Sequence, residues 1–324
     1  MNQIIIREQE ICEFKKNDSN DSKHKVYRLE ITDHKRLNHL DQYIKPQIGD
    51  LLRLAIINRG RVVSAKVIEY KKSNNCTLEF EKESINSTLP VSAFGKNFQA
   101  IIGLSRPPTL KKIFEHGTTM GVTSFHLLST TLTEKSYLSS KVLNQEEFEL
   151  YLELGLSQSS LYYNIPNVEV YKNIEQFRGR FKNYNFKEKL SERGGLLEVG
   201  HKSERDFDAE NGRATNGRAT NGLLKKRALN KFILSASANK SKSFADYITM
   251  QSNNINFNID DVDSDIDNII LAIGPERGFT KEEELFFIEE LEFLPVKVSN
   301  SILRVEHALF HAIAQLELLF RKIR

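Results

Sequence analysis

Apolar residues recur along this chain in two rhythms, and the change falls between residues 92 and 97. In the first part they form short alternating or β-branched runs broken by polar turns. Leu51-Leu52-Arg53-Leu54-Ala55-Ile56-Ile57 precedes Asn58-Arg59-Gly60, and a second run covers residues 61–68. Two such runs around a glycine-containing turn predict a hairpin. Residues 75–80 predict a third strand. Short antiparallel strands bury a core most simply as a small barrel.

From Phe98 onward strand and helix alternate. Residues 98–104 read as a buried strand, and Leu110, Ile113, Phe114 and Met120 follow at roughly helical spacing. Gly121 suits the helix end, and residues 122–128 form the next strand. Later strands are predicted at 231–234, 269–273 and 296–298. Continuous apolar strands separated by helices predict a parallel sheet covered on both faces. The last helix carries its apolar face on Val305, Ala308, Leu309, Ala312, Ile313, Leu316, Leu319, Phe320 and Ile323.

Two stretches stand apart from both rhythms. Asn211-Gly212-Arg213-Ala214-Thr215 repeats as Asn216-Gly217-Arg218-Ala219-Thr220 and begins again at Asn221-Gly222. With almost no apolar side chains, residues 201–222 cannot offset the entropy of ordering, and a mobile low-complexity insertion is expected. The polar residues 253–267 predict a second surface loop.

The densest chemistry lies in the last fifth. The strand ending Leu271-Ala272-Ile273 runs into Gly274-Pro275-Glu276-Arg277-Gly278-Phe279-Thr280, where Thr280 and Glu283 have the spacing of a capping box. Glycine lets backbone approach a ligand closely, and proline fixes the loop. Free amides from Gly278 to Glu282 are candidates to face a carboxylate or phosphate. About twenty residues on, Ile302-Leu303-Arg304-Val305-Glu306-His307-Ala308 enters the final helix. In open α/β sheets, ligands bind beyond the carboxyl ends of neighbouring strands, so two such loops predict one shared small-molecule site. Taken alone, the Gly274 turn reads more simply as an ordinary, well-capped connection; the preceding strand and the Ile302–Ala308 motif together shift the reading to a site. Arg304 is a candidate to hold a phosphate or base, with Glu306 fixing it by a two-pronged contact; the alternative is a structural ion pair or a solvated helix start.

Metal chemistry finds no support. His307 and His311 share a helix face, but no third ligand is evident. Asp261-Val262-Asp263-Ser264-Asp265 imitates the start of a calcium loop, yet Ile266 and Ala272 stand where that loop needs glycine and glutamate. Cys12 and Cys76 have no metal spacing, and so few cysteines fit a reducing compartment. The 324 residues have room for two domains. No apolar run is long enough to span a bilayer, and the first residues lack the pattern of a signal peptide, so a cytoplasmic protein without membrane contact is expected. The formal net charge of +3 says little, but residues 1–72 hold 15 Lys/Arg against 10 Asp/Glu. That balance is compatible with nucleic-acid contact through the first part, although on charge alone a solvated surface is the simpler reading.

The paired motifs at Gly274–Thr280 and Ile302–Ala308 resemble those of the RsmE-type 16S ribosomal RNA methyltransferases of the SPOUT superfamily, roughly iGPEGGf and lG-x-rILRtETA. Arg277 stands at that family's second glycine and Ser299 at the glycine of the second motif. Ser301 replaces an arginine, and Val305 and His307 replace two threonines. Thr133-Glu134-Lys135-Ser136 resembles the family's T-E-R-S-like loop. Gln158-Ser159-Ser160-Leu161 matches a Q-x-x-R segment with Leu161 at the arginine, so no catalytic role is carried over there. Thr119-Met120-Gly121-Val122 lacks the glutamate of an ELGV motif.

The resemblance implies an α/β fold with a SPOUT-type trefoil-knotted parallel sheet over residues 97–324 and an N-terminal PUA-like RNA-binding barrel over residues 1–92. It implies transfer of a methyl group from S-adenosylmethionine to N3 of a uridine in 16S ribosomal RNA, by a homodimer acting on that RNA or on the small ribosomal subunit. Carried over by position, the cofactor would lie on Ile273, Gly274, Pro275, Glu276, Gly278, Val298, Ser299, Ile302 and Leu303. Arg304 and Glu306 are the candidate catalytic residues, Lys135 and Arg106 the candidate substrate contacts, and no metal is implied. The departures leave two alternatives open: a non-catalytic ribosomal-RNA-binding homologue, or a methyltransferase with a different target nucleotide.

Overall fold

A computed structural model of the protein describes residues 3–14, 26–88, 97–182, 231–235, 242–244, 246 and 268–323. The repeat at 201–222 and the polar stretch at 253–267 lie outside the described residues.

The first part forms a sheet of seven strands: β1 (Ile4–Ile6), β2 (Ile11–Phe14), β3 (Val26–Ile31), β4 (Leu51–Ile56), β5 (Gly60–Lys71), β6 (Asn75–Glu81) and β7 (Ile85–Asn86). Their order is β1-β4-β5-β6-β3-β2, with β7 beside β5. The β4–β5 pair is the hairpin that the hydrophobic pattern predicts, joining Ile56 to Gly60. Alternate residues point to one core, where Leu29, Leu54, Ile56, Val62, Val67 and Leu78 pack with Leu37 of α1 (His34–His39). The strands before residue 32 escape a reading by pattern because they are short and interrupted by charge.

The second sheet holds six strands, all parallel, in the order β10-β9-β8-β12-β11-β13. These are β8 (Asn97–Gly103), β9 (Ser124–Leu128), β10 (Asn167–Tyr171), β11 (Lys231–Leu234), β12 (Asn268–Ile273) and β13 (Leu294–Val296). Both faces are covered. Ala100, Ile102, Leu271 and Ile273 pack into a core with α2 (Pro107–Thr119), α3 (Gln145–Gln158) and α6 (Val305–Ile323). Ile101, Ile270 and Ala272 turn the other way, toward Phe177 of α4 (Ile174–Lys182) and toward Phe286 and Phe287, just after α5 (Lys281–Leu285). Double burial is why these strands are apolar throughout rather than alternating. The strand expected at 296–298 lies two residues earlier: Leu294 and Val296 pair with Phe232 and Leu234. Pro295 is tolerated there because β13 is at the sheet edge and a missing N–H costs least at an edge.

The two sheets meet through Gln3, whose side-chain amide donates to the carbonyls of Leu156 (2.9 Å) and Tyr162 (2.8 Å). Asn58 and Arg61 add bonds to Tyr163, Ile165 and Ser160. Gln158-Ser159-Ser160-Leu161 therefore sits at this junction, with Leu161 exposed.

One polar group is enclosed in the second sheet. His126 donates from Nε2 to the Gln99 amide oxygen (3.0 Å) and lies beside Tyr171 and Glu169, with Phe181 packed edge-on. Burial holds its imidazole below the usual range, and the Glu169 carboxylate only partly opposes this. Because the unfolded chain takes up a proton near pH ~6.5 and the folded one only lower, stability is expected to fall on acidification below about that pH. Urea midpoints measured across this range should show a step that is missing in His126→Gln; an unchanged step would assign it elsewhere.

Candidate functional site

The site is built by loops at the carboxyl ends of adjacent parallel strands. β8 and β12 are neighbours, with Ile102 opposite Ile273, so the chain leaves both strands at the same end. There Gly103 meets the Gly274–Pro275 turn so closely that a Cβ on Gly103 would lie 2.2 Å from the Pro275 nitrogen. Only a residue without a side chain fits. Gly274 is confined in turn, since its own Cβ would lie 2.8 Å from the Phe279 nitrogen. The Gly278 N–H then closes a turn onto the Pro275 carbonyl (2.8 Å), with Gly278 at φ +76°.

The predicted capping box follows. Glu283 N–H donates to the Thr280 hydroxyl (3.2 Å), and Thr280 N–H donates to Glu283 Oε2 (2.8 Å). Glu283 has a second task, because Oε1 accepts from Thr131 N–H (2.7 Å) in the loop after β9. These bonds correct the expectation of free amides at Gly278 and Thr280. Gly278, Thr280 and Glu283 spend their N–H groups inside the protein, and α5 is too short to present an anion site.

Glu276 joins the β12 loop to the β8 loop, its Oε1 accepting from the Arg106 backbone (2.9 Å) and Nε (3.4 Å). Burial and the Glu276 carboxylate push the Tyr137 phenol up, with Arg106 opposing. The short helix from Lys135 to Ser139 therefore lies at the same end, and Lys135 is exposed on it.

The second motif behaves differently. The Val298 carbonyl accepts from the Gln315 amide (2.7 Å), and Ser301 N–H donates to the Ser299 hydroxyl (3.0 Å). Ile302 is 92% exposed and Leu303 half-buried. The expected Arg304–Glu306 contact is not made. Arg304 precedes α6 and is exposed, while Glu306 in its first turn is buried and reaches Lys112 of α2 with Oε1 (3.5 Å). Its Oε2 is buried with no partner among the described residues. The half-exposed Lys112 offers roughly 0–1 kcal/mol, whereas an unsatisfied buried acceptor costs about 1–3 kcal/mol. A donor from outside this chain's described residues would remove that deficit. His307 and His311 are exposed, and His311 turns its ring back to the His307 carbonyl (3.0 Å).

The structure thus gathers Ile273, Gly274, Pro275, Glu276, Gly278, Arg106 and Lys135 at one end of the sheet. Val298, Ser299, Ile302, Leu303 and Arg304 form the entry to α6, which is tied to α2 through Glu306. Reading by sequence missed Gly103 and Lys112. Gly103 had a visible signal, a glycine closing an apolar strand; Lys112 had none.

Fold and loop geometry together define an α/β protein whose carboxyl-end loops, pressed backbone to backbone, form a candidate small-molecule site beside exposed cations. Within that class, the chain belongs to the RNA methyltransferase domain family, whose sequence model matches residues 95–212 and 218–317. It is 25% identical over 275 residues to ribosomal RNA small subunit methyltransferase E 1 of Borreliella burgdorferi, covering 84% of this chain and 85% of that protein. It is 34% identical over 145 residues to ribosomal RNA small subunit methyltransferase E of Treponema pallidum, covering 44% of this chain and 50% of that protein. In structure it resembles ribosomal RNA small subunit methyltransferase E from Neisseria gonorrhoeae bound to S-adenosyl methionine, with a TM-score of 0.55, 15% identity and 98% of each chain covered.

Gly103→Ala is expected to push the Gly274–Pro275 turn away and cost about 1–3 kcal/mol in urea unfolding. Amide exchange should accelerate over residues 274–283 and leave β4–β6 unchanged; native exchange in the turn would show that the contact is not confining.

Proposed function

We propose that this protein is an S-adenosylmethionine-dependent methyltransferase that modifies N3 of a uridine in 16S ribosomal RNA. The observation that carries the reading is the side-chain-free approach of Gly103 to Gly274–Pro275, in a chain of the RNA methyltransferase family. A relative of similar structure is described as bound to this cofactor, and the residues here fit it. Backbone at 273–278 and 298–303, apart from the Gly278 and Ser301 N–H groups and the Val298 carbonyl, offers amides and carbonyls for the adenosine part. The orphaned Glu306 Oε2 offers an acceptor to an ammonium donor. When bound, S-adenosylmethionine supplies a methyl group already activated on a sulfonium.

The chain's own contribution is then alignment and charge. Gly274 and Pro275, held against Gly103, keep the cofactor loop from drifting, so the reacting atoms meet in line. The target N3–H proton must leave to water as the N3–carbon bond forms. Arg304 sits at the entry to α6, exposed and, among the described residues, without an ion pair. Its fixed positive charge favours the deprotonated uracil. Lys135 and Arg106 contact the RNA, Arg106 remaining braced by Glu276.

The finer architecture belongs to the same proposal. Residues 1–92 form a PUA-like RNA-binding barrel, supported by the seven-strand sheet with its own core and by exposed Leu51 paired across the β4–β5 hairpin with exposed Lys66. Residues 97–324 form the catalytic domain, a SPOUT-type trefoil-knotted sheet, supported by the six parallel strands and the family match. Exposed Ile302 and Leu318, on α6 and its entry, support a homodimer. Ribosomal RNA as substrate would put the protein in the cytoplasm. Among the described residues, no helix is long and apolar enough to cross a membrane.

Calorimetric titration with S-adenosylmethionine is expected to give saturable one-site binding, and the protein should restore the missing methyluridine in 16S ribosomal RNA from a deletion strain. No binding by the folded protein, with or without RNA, would sink the reading. Arg304→Ala should lower kcat about a hundredfold with cofactor affinity intact; unchanged methylation would remove Arg304 from the chemistry.

A further inference from the structure

The Pro275–Gly278 turn carries two charged residues at its apex, and the protein treats them oppositely. Glu276 is tied down by the Arg106 backbone and side chain. Arg277 is exposed and, among the described residues, makes no hydrogen bond or ion pair. We propose that Arg277 grips a backbone phosphate of the RNA strand that enters the site. This rests on the reading of the chain as an RNA methyltransferase and adds to it a contact at a position where the resembling family carries glycine.

Three features support it. The turn is stiff, closed by Gly278 N–H on the Pro275 carbonyl and backed by Gly103, so the stem of Arg277 begins at a fixed point on the rim. A rigid base loses less entropy on binding than a mobile loop would. The carboxylates of the same turn and helix start are already occupied: Glu276 by Arg106, and Glu283 by Thr280 and Thr131. The Glu282 carboxyl is held below its usual range by its own backbone N–H and the Thr280 hydroxyl beside it. None of these pairings engages the Arg277 guanidinium. Finally, the guanidinium is planar and always charged, and two parallel N–H donors match a phosphate. Being at an exposed apex rather than inside the turn, it suits a contact that positions a strand more than one that reads a base edge.

The test compares wild type, Arg277→Gln and Arg277→Lys for binding of labelled oligouridylate and oligoadenylate across about 50–200 mM salt. Arg277→Gln is expected to weaken both RNAs several-fold and to reduce the slope of log affinity against log salt by about 0.7, the value for one single-strand phosphate. Arg277→Lys should keep the slope. Affinity for S-adenosylhomocysteine and the melting temperature should match wild type in both variants. A wild-type slope in Arg277→Gln, or no RNA binding by wild type, overturns the proposal. Loss confined to oligouridylate also overturns it, assigning a base contact, and loss of cofactor affinity assigns Arg277 to the cofactor. The broader reading fails separately: if wild type transfers no methyl group while the slope change is present, the phosphate contact stands and the methyltransferase falls.

Discussion

The contact on which the site depends is the approach of one strand end to the next turn. β8 ends in Gly103, β12 ends in Gly274-Pro275, and the parallel pairing of the two strands forces their backbones together at the same end of the sheet. Any side chain on Gly103 would occupy the space of the proline ring. The turn is therefore placed by the sheet, with little freedom of its own. The bonds of Glu276 and Glu283 extend this placement to the loops after β8 and β9. Three loops become one rim because two glycines allow the first contact.

Charge is distributed on that rim with economy. Most carboxylates at the site work inward: Glu283 closes a helix end and ties a neighbouring loop, Glu276 braces Arg106, and Glu306 packs between α6 and α2. Each satisfies backbone or cation within the protein, which leaves Arg277, Arg304 and Lys135 turned to solvent. A surface that spends its acidic groups on structure and exposes its cations attracts a polyanion without a large net charge. The formal charge of +3 conceals this local asymmetry.

Glu306 carries a buried charge that its own contacts do not account for. Its contact with a half-exposed lysine is worth too little to explain burial of the whole carboxylate with one oxygen unmatched. Such a group is a cost to the fold alone and a suitable acceptor once a donor arrives. The same physics separates it from Arg304, two positions earlier, which precedes α6 and is exposed.

Much of this was determined by sequence. The double-faced strands at 98–103 and 269–273, the β4–β5 hairpin, the Thr280–Glu283 cap and the turn at Gly274 follow from local hydrophobic pattern and backbone chemistry. These forces act between residues close in the chain. Tertiary structure alone decided which strands lie side by side, and hence that Gly103 faces Pro275, that Glu276 meets Arg106 across 170 residues, and that Glu306 chooses Lys112 over Arg304. It also moved the last strand back to 294–296, because β11 offered its pairing edge there. Local propensity fixes the elements. The site arises from contacts between elements far apart in sequence, and their partners are chosen by the packing of the whole sheet.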